Sequence, residues 1–350
     1  MTISLTVRNV NAALAEVLRM LKYLHIQEHS RNGPVLTLPE PIALTYKHPE
    51  ENILLGAYRN ANPFFHYIEA MWMLAGRNDV ESMVRFNRRM ASYSDDGKIF
   101  HGAYGFRWRK IFENNVSINN PDRSIMLIEG GDQLTGIVEL LKTTPNTRRA
   151  VLSMWHPPED LNRDTLDVPC NTHAYFNIRA DQLHMTVCNR SNDILWGMCG
   201  ANAVHFSILQ MYLAERIGVG LGTYTQFSNN AHVYTDVLPL EKFDPMILDA
   251  ESSNLYDSQH VSPPIVFGPT FAADNRQFFR DLSDTGCSVS LDVKSPAVVI
   301  AQHLANSWST KAIDREITMN VAGKTPHGYW RRGAEQWLTQ YYYRREEKGL

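Results

Sequence analysis

The sequence predicts an α+β protein with a mostly antiparallel sheet, and three observations carry that prediction. Residues 174–179 and 183–189 alternate around Ala180-Asp181-Gln182, which is the pattern of a hairpin. Stretches of helical period are interspersed among strand-like segments and do not alternate with them in regular βαβ units. Neither GxGxxG nor GxxxxGK followed by Ser or Thr occurs, so neither phosphate loop is on offer.

Each element has its own warrant. Leu14, Val17, Leu18 and Leu21 recur at helical spacing and predict an amphipathic helix over about 9–24. Ser30-Arg31-Asn32-Gly33-Pro34 reads as a turn, followed by short extended segments. Asn62-Pro63 opens a strongly apolar helix through Ala75 that Gly76 stops; proline just inside the start and glycine past the end is the usual asymmetry. Residues 132–142 read as a further helix and 149–155 as β-like. A long helix spans 202–217 and ends at Gly218. Beyond about 240 only 295–308 carries a clear helical pattern.

At 350 residues, 44% hydrophobic and 20% charged, the chain is large enough for one big core or two domains. A net charge of −3 gives no basic footprint, which excludes a nucleic-acid polymer as the expected partner. The four cysteines, at 170, 188, 199 and 287, lack the close spacing of a disulfide framework or a zinc ribbon, so no metal is expected. No signal-like segment opens the chain and no apolar run is long enough to span a bilayer. The expectation is a cytoplasmic protein away from membranes, in a reducing compartment where a free thiol persists.

The chemistry centres on Val168-Pro169-Cys170-Asn171. Cys170 follows a proline and precedes the hairpin, which places it at a strand start. An arbitrary cysteine is more often a small buried hydrophobe. The company shifts that balance: Arg190-Ser191 ends the second hairpin strand, and Arg148-Arg149 begins an earlier one. A guanidinium fork matches phosphate bidentately and a hydroxyl adds a donor. Fixed cationic charge beside a thiol also favours the nucleophilic thiolate. Alone, Arg148-Arg149 would more often be a solvated strand end and Arg190 a surface ion pair.

With these residues in place, the run Cys170, Arg190-Ser191-Asn192-Asp193, Gly197, Asn202 and Asn230-Ala231-His232-Val233-Tyr234 resembles the thymidylate synthase superfamily, which includes pyrimidine nucleotide methylases and hydroxymethylases. Upstream, residues 68–76, Tyr104-Gly105-Phe106-Arg107-Trp108, Thr147-Arg148-Arg149 and Trp155 extend the resemblance, which covers about 25–240. It implies a thymidylate synthase-like fold, a homodimer through the sheet face, a pyrimidine nucleoside monophosphate as substrate and 5,10-methylenetetrahydrofolate as co-substrate. By the same resemblance Cys170 adds to C6 of the ring and C5 captures the one-carbon unit, dividing a difficult alkylation into easier steps. Arg190, Ser191 and Arg31 would hold the 5′-phosphate, with Arg148 and Arg149 reaching over from a second subunit. His232 and Tyr234 would bond the 3′-hydroxyl. Glu69 would be the general acid/base acting through ordered water, and Tyr104 would assist proton removal at C5. Asp193 is carried over with the catalytic set and Asn192 with the substrate-binding set. Read blandly, His232 is a loop histidine and Tyr104 a core aromatic with a wet hydroxyl.

Asn202 decides the base. Its amide offers a donor and an acceptor and can match uracil's N3–H and O4, whereas the cytosine-specific relatives carry aspartate there. Counting from Cys170 without a gap puts Ala201 at that position; a one-residue insertion within 198–201 brings Asn202 into register, and the following helix favours the insertion.

Three departures bear on the product. Residues 87–94 lack the tryptophans that cover the folate, the chain ends in the tyrosine-rich 341–350 in place of a short apolar tail, and Asn192 and Asn171 replace the usual residues. A dry, closed site delivers hydride and a methyl group; admitted water gives hydroxymethyl. The resemblance therefore implies a dUMP 5-hydroxymethylase, with thymidylate synthase or a (d)CMP hydroxymethylase as alternatives. Hydroxymethylated pyrimidine pools feature in viral DNA modification, so a virus's host cytoplasm is a second setting. A cysteine hydrolase using His173 is disfavoured, because three residues along a strand normally reverses the face. A non-catalytic nucleotide-binding relative is less economical with Cys170, Glu69 and Tyr104 retained.

Overall fold

Ala180 and Asp181 take positive φ values of 48° and 56° and form the two-residue turn expected of a tight hairpin. In this computed structural model, which describes residues 1–110, 131–256 and 262–348, that hairpin lies within the larger of two sheets. The strands are β1 (Ile3–Val7), β2 (Ile26–Ser30), β3 (Gly33–Thr37), β4 (Ile42–Tyr46), β5 (Val151–Ser153), β6 (Asn171–Arg179), β7 (Gln182–Asn189), β8 (Asn192–Asp193), β9 (Gly220–Ser228) and β10 (Ala231–Tyr234). One sheet runs β1-β4-β9-β7-β6-β5 and the other β2-β3-β10-β8.

Antiparallel pairings predominate, but β1–β4, β7–β9 and β8–β10 are parallel, so both sheets are mixed. The β7–β9 pair needs a crossover, which the helix Asn202–Ile217 provides on its way to Gly218 at φ 91°. β7 passes into β8 through Arg190-Ser191, and β9 into β10 through Asn229-Asn230, so neighbouring strands change sheet side by side. Asn189 O accepts Asn229 N–H at 2.9 Å and Asn230 O accepts Asn192 N–H at 2.8 Å across this double bend.

The helix expected from Asn62-Pro63 spans Pro63–Leu74, with the Asn62 side chain accepting the Phe65 N–H at 3.1 Å. Every residue in it is buried except Glu69. Part of the cover comes from beyond residue 240: Tyr67 OH bonds Ala297 O at 3.0 Å, Asn275 Nδ2 bonds Met71 O at 2.9 Å, and Trp330 packs edge-on to Tyr67 at 4.5 Å. The helices Phe271–Thr285, Pro296–Thr310 and Gly328–Glu347 supply these groups. Gly349 and Leu350, the end of the tyrosine-rich tail, lie outside the described residues.

A second buried joint fixes the strand start. Arg107 and Asp160 are both fully buried and pair bidentately at 2.6 and 2.9 Å, while His101 Nε2 lies 2.9 Å from the same carboxylate. Arg107 also donates to Met154 O and His101 O, so its charge is fully engaged. Burial pushes the Asp160 carboxyl up, but the Arg107 bonds and the His156 N–H outweigh it and hold it below the ordinary carboxylate range. Asp160→Ala, which strands the Arg107 charge, is expected to cost about 3–5 kcal/mol by urea unfolding. The wild-type contribution is fully present above about pH 4 and disappears as pH falls through the depressed folded value. The wild-type advantage should therefore shrink at acid pH; a difference that held or widened there would refute this account.

Candidate active site

Tyr104 starts the short helix Tyr104–Arg109, whose approach to the Pro63–Leu74 helix requires Gly105: a Cβ there would lie 2.1 Å from Met73 O. The Tyr104 hydroxyl accepts the N–H groups of Cys170 at 2.9 Å and Asn171 at 3.1 Å. Burial raises its phenol well above the ordinary value, so it is neutral and retains a proton to donate. It fixes the backbone on which the thiol sits.

Cys170 Sγ lies 3.7 Å from Arg190 Nη2, and Cys170 O accepts the Arg190 N–H at 2.9 Å. Arg190 is itself held by Pro169 O at 2.9 Å and Val168 O at 3.1 Å, which leaves the guanidinium exposed beside the sulfur. The expectation that cationic charge would favour the thiolate is only half met in a single chain. Burial raises the Cys170 thiol; Arg190 and Arg31 pull it down, Asp167 and Asp193 oppose them, and burial prevails. Arg31 bonds Thr165 O at 3.3 Å from the β2–β3 turn. Arg148 and Arg149 precede β5, exposed, and make no side-chain bond to another site residue among those described.

Behind Cys170 runs a chain of buried amides. Asn189 Nδ2 donates to Asn171 Oδ1, and Asn171 Nδ2 to Asn202 Oδ1 at 3.2 Å. Asn202 Nδ2 donates to Asn192 Oδ1 at 3.1 Å, and Asn192 Nδ2 to Gln226 Oε1 at 2.9 Å and Ser228 Oγ at 3.0 Å. Each link satisfies its neighbour, so the register of Asn202 is specified by several strands at once. Gly197 admits this chain, since a Cβ there would sit 2.4 Å from Asn192 Oδ1 and 3.0 Å from Asn202 Nδ2.

The one-residue insertion expected before Asn202 would fall in a segment with room for it. Ile194–Ala201 is a wide-turned helical segment in which Cys199 and Gly200 leave helical geometry, and Asn202 N–H reaches back five residues to Gly197 O. Such a turn absorbs one inserted residue without displacing the helix that follows. Asn202, and not Ala201, puts its side chain into the amide chain beneath Cys170.

Asp193 caps the wide segment, accepting the N–H groups of Leu195 and Trp196 at 2.7 Å each. Burial raises its carboxyl against those bonds and the charges of His232 and Arg59. His232 stands opposite Asp193 in the β8–β10 register, with Nδ1 2.8 Å from Asn230 Oδ1 and its ring edge-on to Tyr234 at 5.2 Å. Burial lowers the His232 imidazole despite Asp193 and Glu28. Ser191 lies half-buried at the bend between β7 and β8. His173 stacks on Tyr175 at 6.3 Å along β6, and among the described residues no bond joins it to Cys170 as the base a hydrolase would need.

Sequence reasoning missed two features. Trp196, 43% exposed next to Asp193, packs near Phe65 and His66 with Arg59 over its ring at 6.0 Å. An aromatic face therefore stands at the site on a different element from 87–94, whose Arg88–Tyr93 turn has no buried residue. His205 Nε2 lies 3.0 Å from Glu69 Oε2. The paired i, i+3 spacings His66/Glu69 and Asn202/His205 were the available signal for this second contact.

Thus the fold and site define an α+β protein in which a cysteine, an arginine and an amide chain converge at strand bends. The thymidylate synthase family model matches residues 44–247, and the chain belongs to the thymidylate synthase family. It is 50% identical over 232 residues to the deoxyuridylate hydroxymethyltransferase of Pseudomonas phage M6, covering 66% of this chain and 61% of that protein. The deoxyuridylate hydroxymethyltransferase of Bacillus phage SP01 is 39% identical over 197 residues, 56% of this chain and 50% of the relative. Haloferax volcanii thymidylate synthase is 30% identical over 172 residues, 47% and 49%. The chain thus matches less than two thirds of the length of each. No described helix is long and apolar enough to cross a membrane.

Proposed function

We propose that the chain is a dUMP 5-hydroxymethylase that takes its one-carbon unit from 5,10-methylenetetrahydrofolate and its hydroxyl from water. The observation that carries the nucleotide assignment is Asn202, held by Asn171 and Asn192 directly behind the nucleophile position. Its amide pairs with uracil's N3–H and O4. The preference for hydroxymethylation rests on the 50% and 39% identical phage proteins of that name, with Asn171 and Asn192 as this chain's own departures.

In this reading Arg190, Ser191 and Arg31 bind the 5′-phosphate, and His232 and Tyr234 the 3′-hydroxyl. Cys170 Sγ adds to C6, Tyr104 faces the C5 proton, and Glu69 works through water. Asp193, near the exposed ring of Trp196, belongs to the catalytic set. Incubation with methylenetetrahydrofolate and each of dUMP, dCMP, UMP and CMP, followed by mass analysis, tests it. Hydroxymethyl-dUMP with tetrahydrofolate is the expected outcome; dTMP with stoichiometric dihydrofolate would defeat it.

The working unit in this reading is one domain over 1–350 paired as a homodimer through the large sheet. Thr45, Thr225, His184 and Tyr175 line the sheet face opposite the core and are only partly covered in one chain. Arg148 and Arg149 at its edge would then complete the partner's phosphate site. Cys170→Ser and a double Arg148→Ala, Arg149→Ala variant should each be inactive alone, and mixing after subunit exchange should restore roughly a quarter of wild-type activity. No recovery from chains shown to exchange would place those arginines outside the site.

A further inference from the structure

The buried amides behind Cys170 close on themselves. Asn192 Nδ2 donates to Ser228 Oγ at 3.0 Å, and Ser228 Oγ donates to Asn189 Oδ1 at a longer 3.4 Å. With the bonds Asn189–Asn171, Asn171–Asn202 and Asn202–Asn192, these side chains form a ring in which every donor points the same way round. All of its members are buried. An amide has a donor end and an acceptor end, and a hydroxyl serves as either. The ring is therefore satisfied just as fully in the opposite sense, with each asparagine turned over. Reversal would be felt at Asn202, where it exchanges the hydrogen and the lone pair left over for a base. If the observed sense suits the N3–H and O4 of uracil, the reversed one suits the N3 and amine of cytosine.

One bond from outside chooses between the two senses. Gln226 Nε2 donates to Met198 O at 2.8 Å and to Tyr46 OH at 3.2 Å. A main-chain carbonyl can only accept, so the Gln226 amide cannot turn over and its Oε1 is left facing Asn192. There it accepts from Asn192 Nδ2 at 2.9 Å. Reversing the ring would set Asn192 Oδ1 against Gln226 Oε1, two buried acceptors with no proton between them. Among the described residues no other hydrogen bond ties a ring side chain to a group outside the ring. We propose that Gln226 is a positioning residue that fixes the sense of the ring and so holds Asn202 in its uracil-pairing orientation, an inference that rests on the reading of Asn202 above. Gln226 bonds neither Asn202 nor Cys170 and acts through Asn192.

The test supplies dUMP and dCMP together, with methylenetetrahydrofolate, to the full chain and reads the ratio of their kcat/KM values from the product masses. Gln226→Met and Gln226→Leu remove the outside bond, while Tyr46 OH keeps Met198 O satisfied at 2.7 Å. In either folded variant the dUMP preference should fall by about tenfold or more, chiefly through a rise in dCMP turnover, which loosened packing alone would not produce. Gln226→Glu, protonated beside Met198 O, keeps a donor for that carbonyl and an acceptor for Asn192, and should retain the preference. Ser228→Ala opens the ring but leaves Gln226 to orient Asn192, so it should lower turnover of both nucleotides and spare their ratio. A ratio unchanged in a folded Gln226→Met or Gln226→Leu chain, or shifted as far by Ser228→Ala, overturns the role of Gln226. The pairing by Asn202 then still stands if Asn202→Asp moves the ratio. A wild-type chain with no preference for dUMP overturns both.

Discussion

Replacing Cys170 with serine should lower dUMP turnover by about 10⁴-fold or more while leaving the nucleotide's Kd within a few-fold of wild type. The sulfur position is fixed independently of the sulfur itself: Tyr104 holds the N–H groups of Cys170 and Asn171, and Arg190 is held by Val168 O and Pro169 O. A serine hydroxyl therefore occupies the same place with the phosphate and base contacts intact. It cannot supply an equivalent nucleophile, since a hydroxyl is far less acidic than a thiol. The same geometry gives a pH signature. Burial holds the thiol of the nucleotide-free chain above its ordinary value, with Arg190 the largest opposing influence. The midpoint of alkylation of Cys170 by iodoacetamide should lie above that of a free thiol, about 8.5. Removing Arg190 should move it further up, because the lost charge stabilised the ionised form. Full turnover by Cys170→Ser would end the covalent mechanism; a midpoint that dropped without Arg190 would contradict the electrostatics.

Features with local physical causes were legible in the sequence. Asn62-Pro63 and Gly76 bound their helix as read, Gly218 ends its helix in the left-handed region, and the 180–181 turn closes the hairpin. Each is set by residues within a turn or two of one another. The parallel β1–β4 and β7–β9 pairs were not legible, because a parallel pairing leaves no turn and is decided by where a distant crossover returns the chain. The region after 240 was opaque for the same reason. It packs on the helices Val10–Leu24 and Pro63–Leu74, and the Tyr67–Ala297 bond spans 230 residues.

The site divides along the same line. Cys170, Arg190 and Asn202 could be named from motif order, since the hairpin and the following helix fix their spacing. What the amides touch could not, because the Asn189–Asn171–Asn202–Asn192 chain draws on three strands and a helix. Ile194–Ala201 explains the ambiguity over Ala201: an apolar run with two glycines carries no period from which a wide turn can be inferred. Trp196 and His205 escaped because each gains meaning only from Arg59, His66 and Glu69 brought up by the other helix.

Asn202→Asp should exchange uracil for cytosine, reducing the kcat/KM preference for dUMP over dCMP by about 10³-fold or more. In the proposed reading the amide presents a donor to O4 and an acceptor to N3–H; cytosine offers an acceptor at N3 and a donor at its amine. A protonated carboxyl supplies the donor and acceptor that cytosine requires, and dUMP then leaves a buried group unpaired. The surroundings set the terms of the exchange. Asn171 Nδ2 can still donate to the new side chain, but Asn192 Oδ1 would meet a carboxylate oxygen as acceptor against acceptor. Turning Asn192 over would forfeit its bonds to Gln226 and Ser228. Burial and that acceptor both disfavour the ionised form, so the carboxyl should titrate above the ordinary value of about 3.9, its one proton turning from Asn192 Oδ1 to N3 when cytosine binds. Activity on dCMP should accordingly be present at low pH and decline as pH rises through that raised value. Activity on dUMP should stay low throughout. If dCMP turnover instead rose with pH, the ionised carboxylate would be the productive form, and the amide chain would not govern the choice of base.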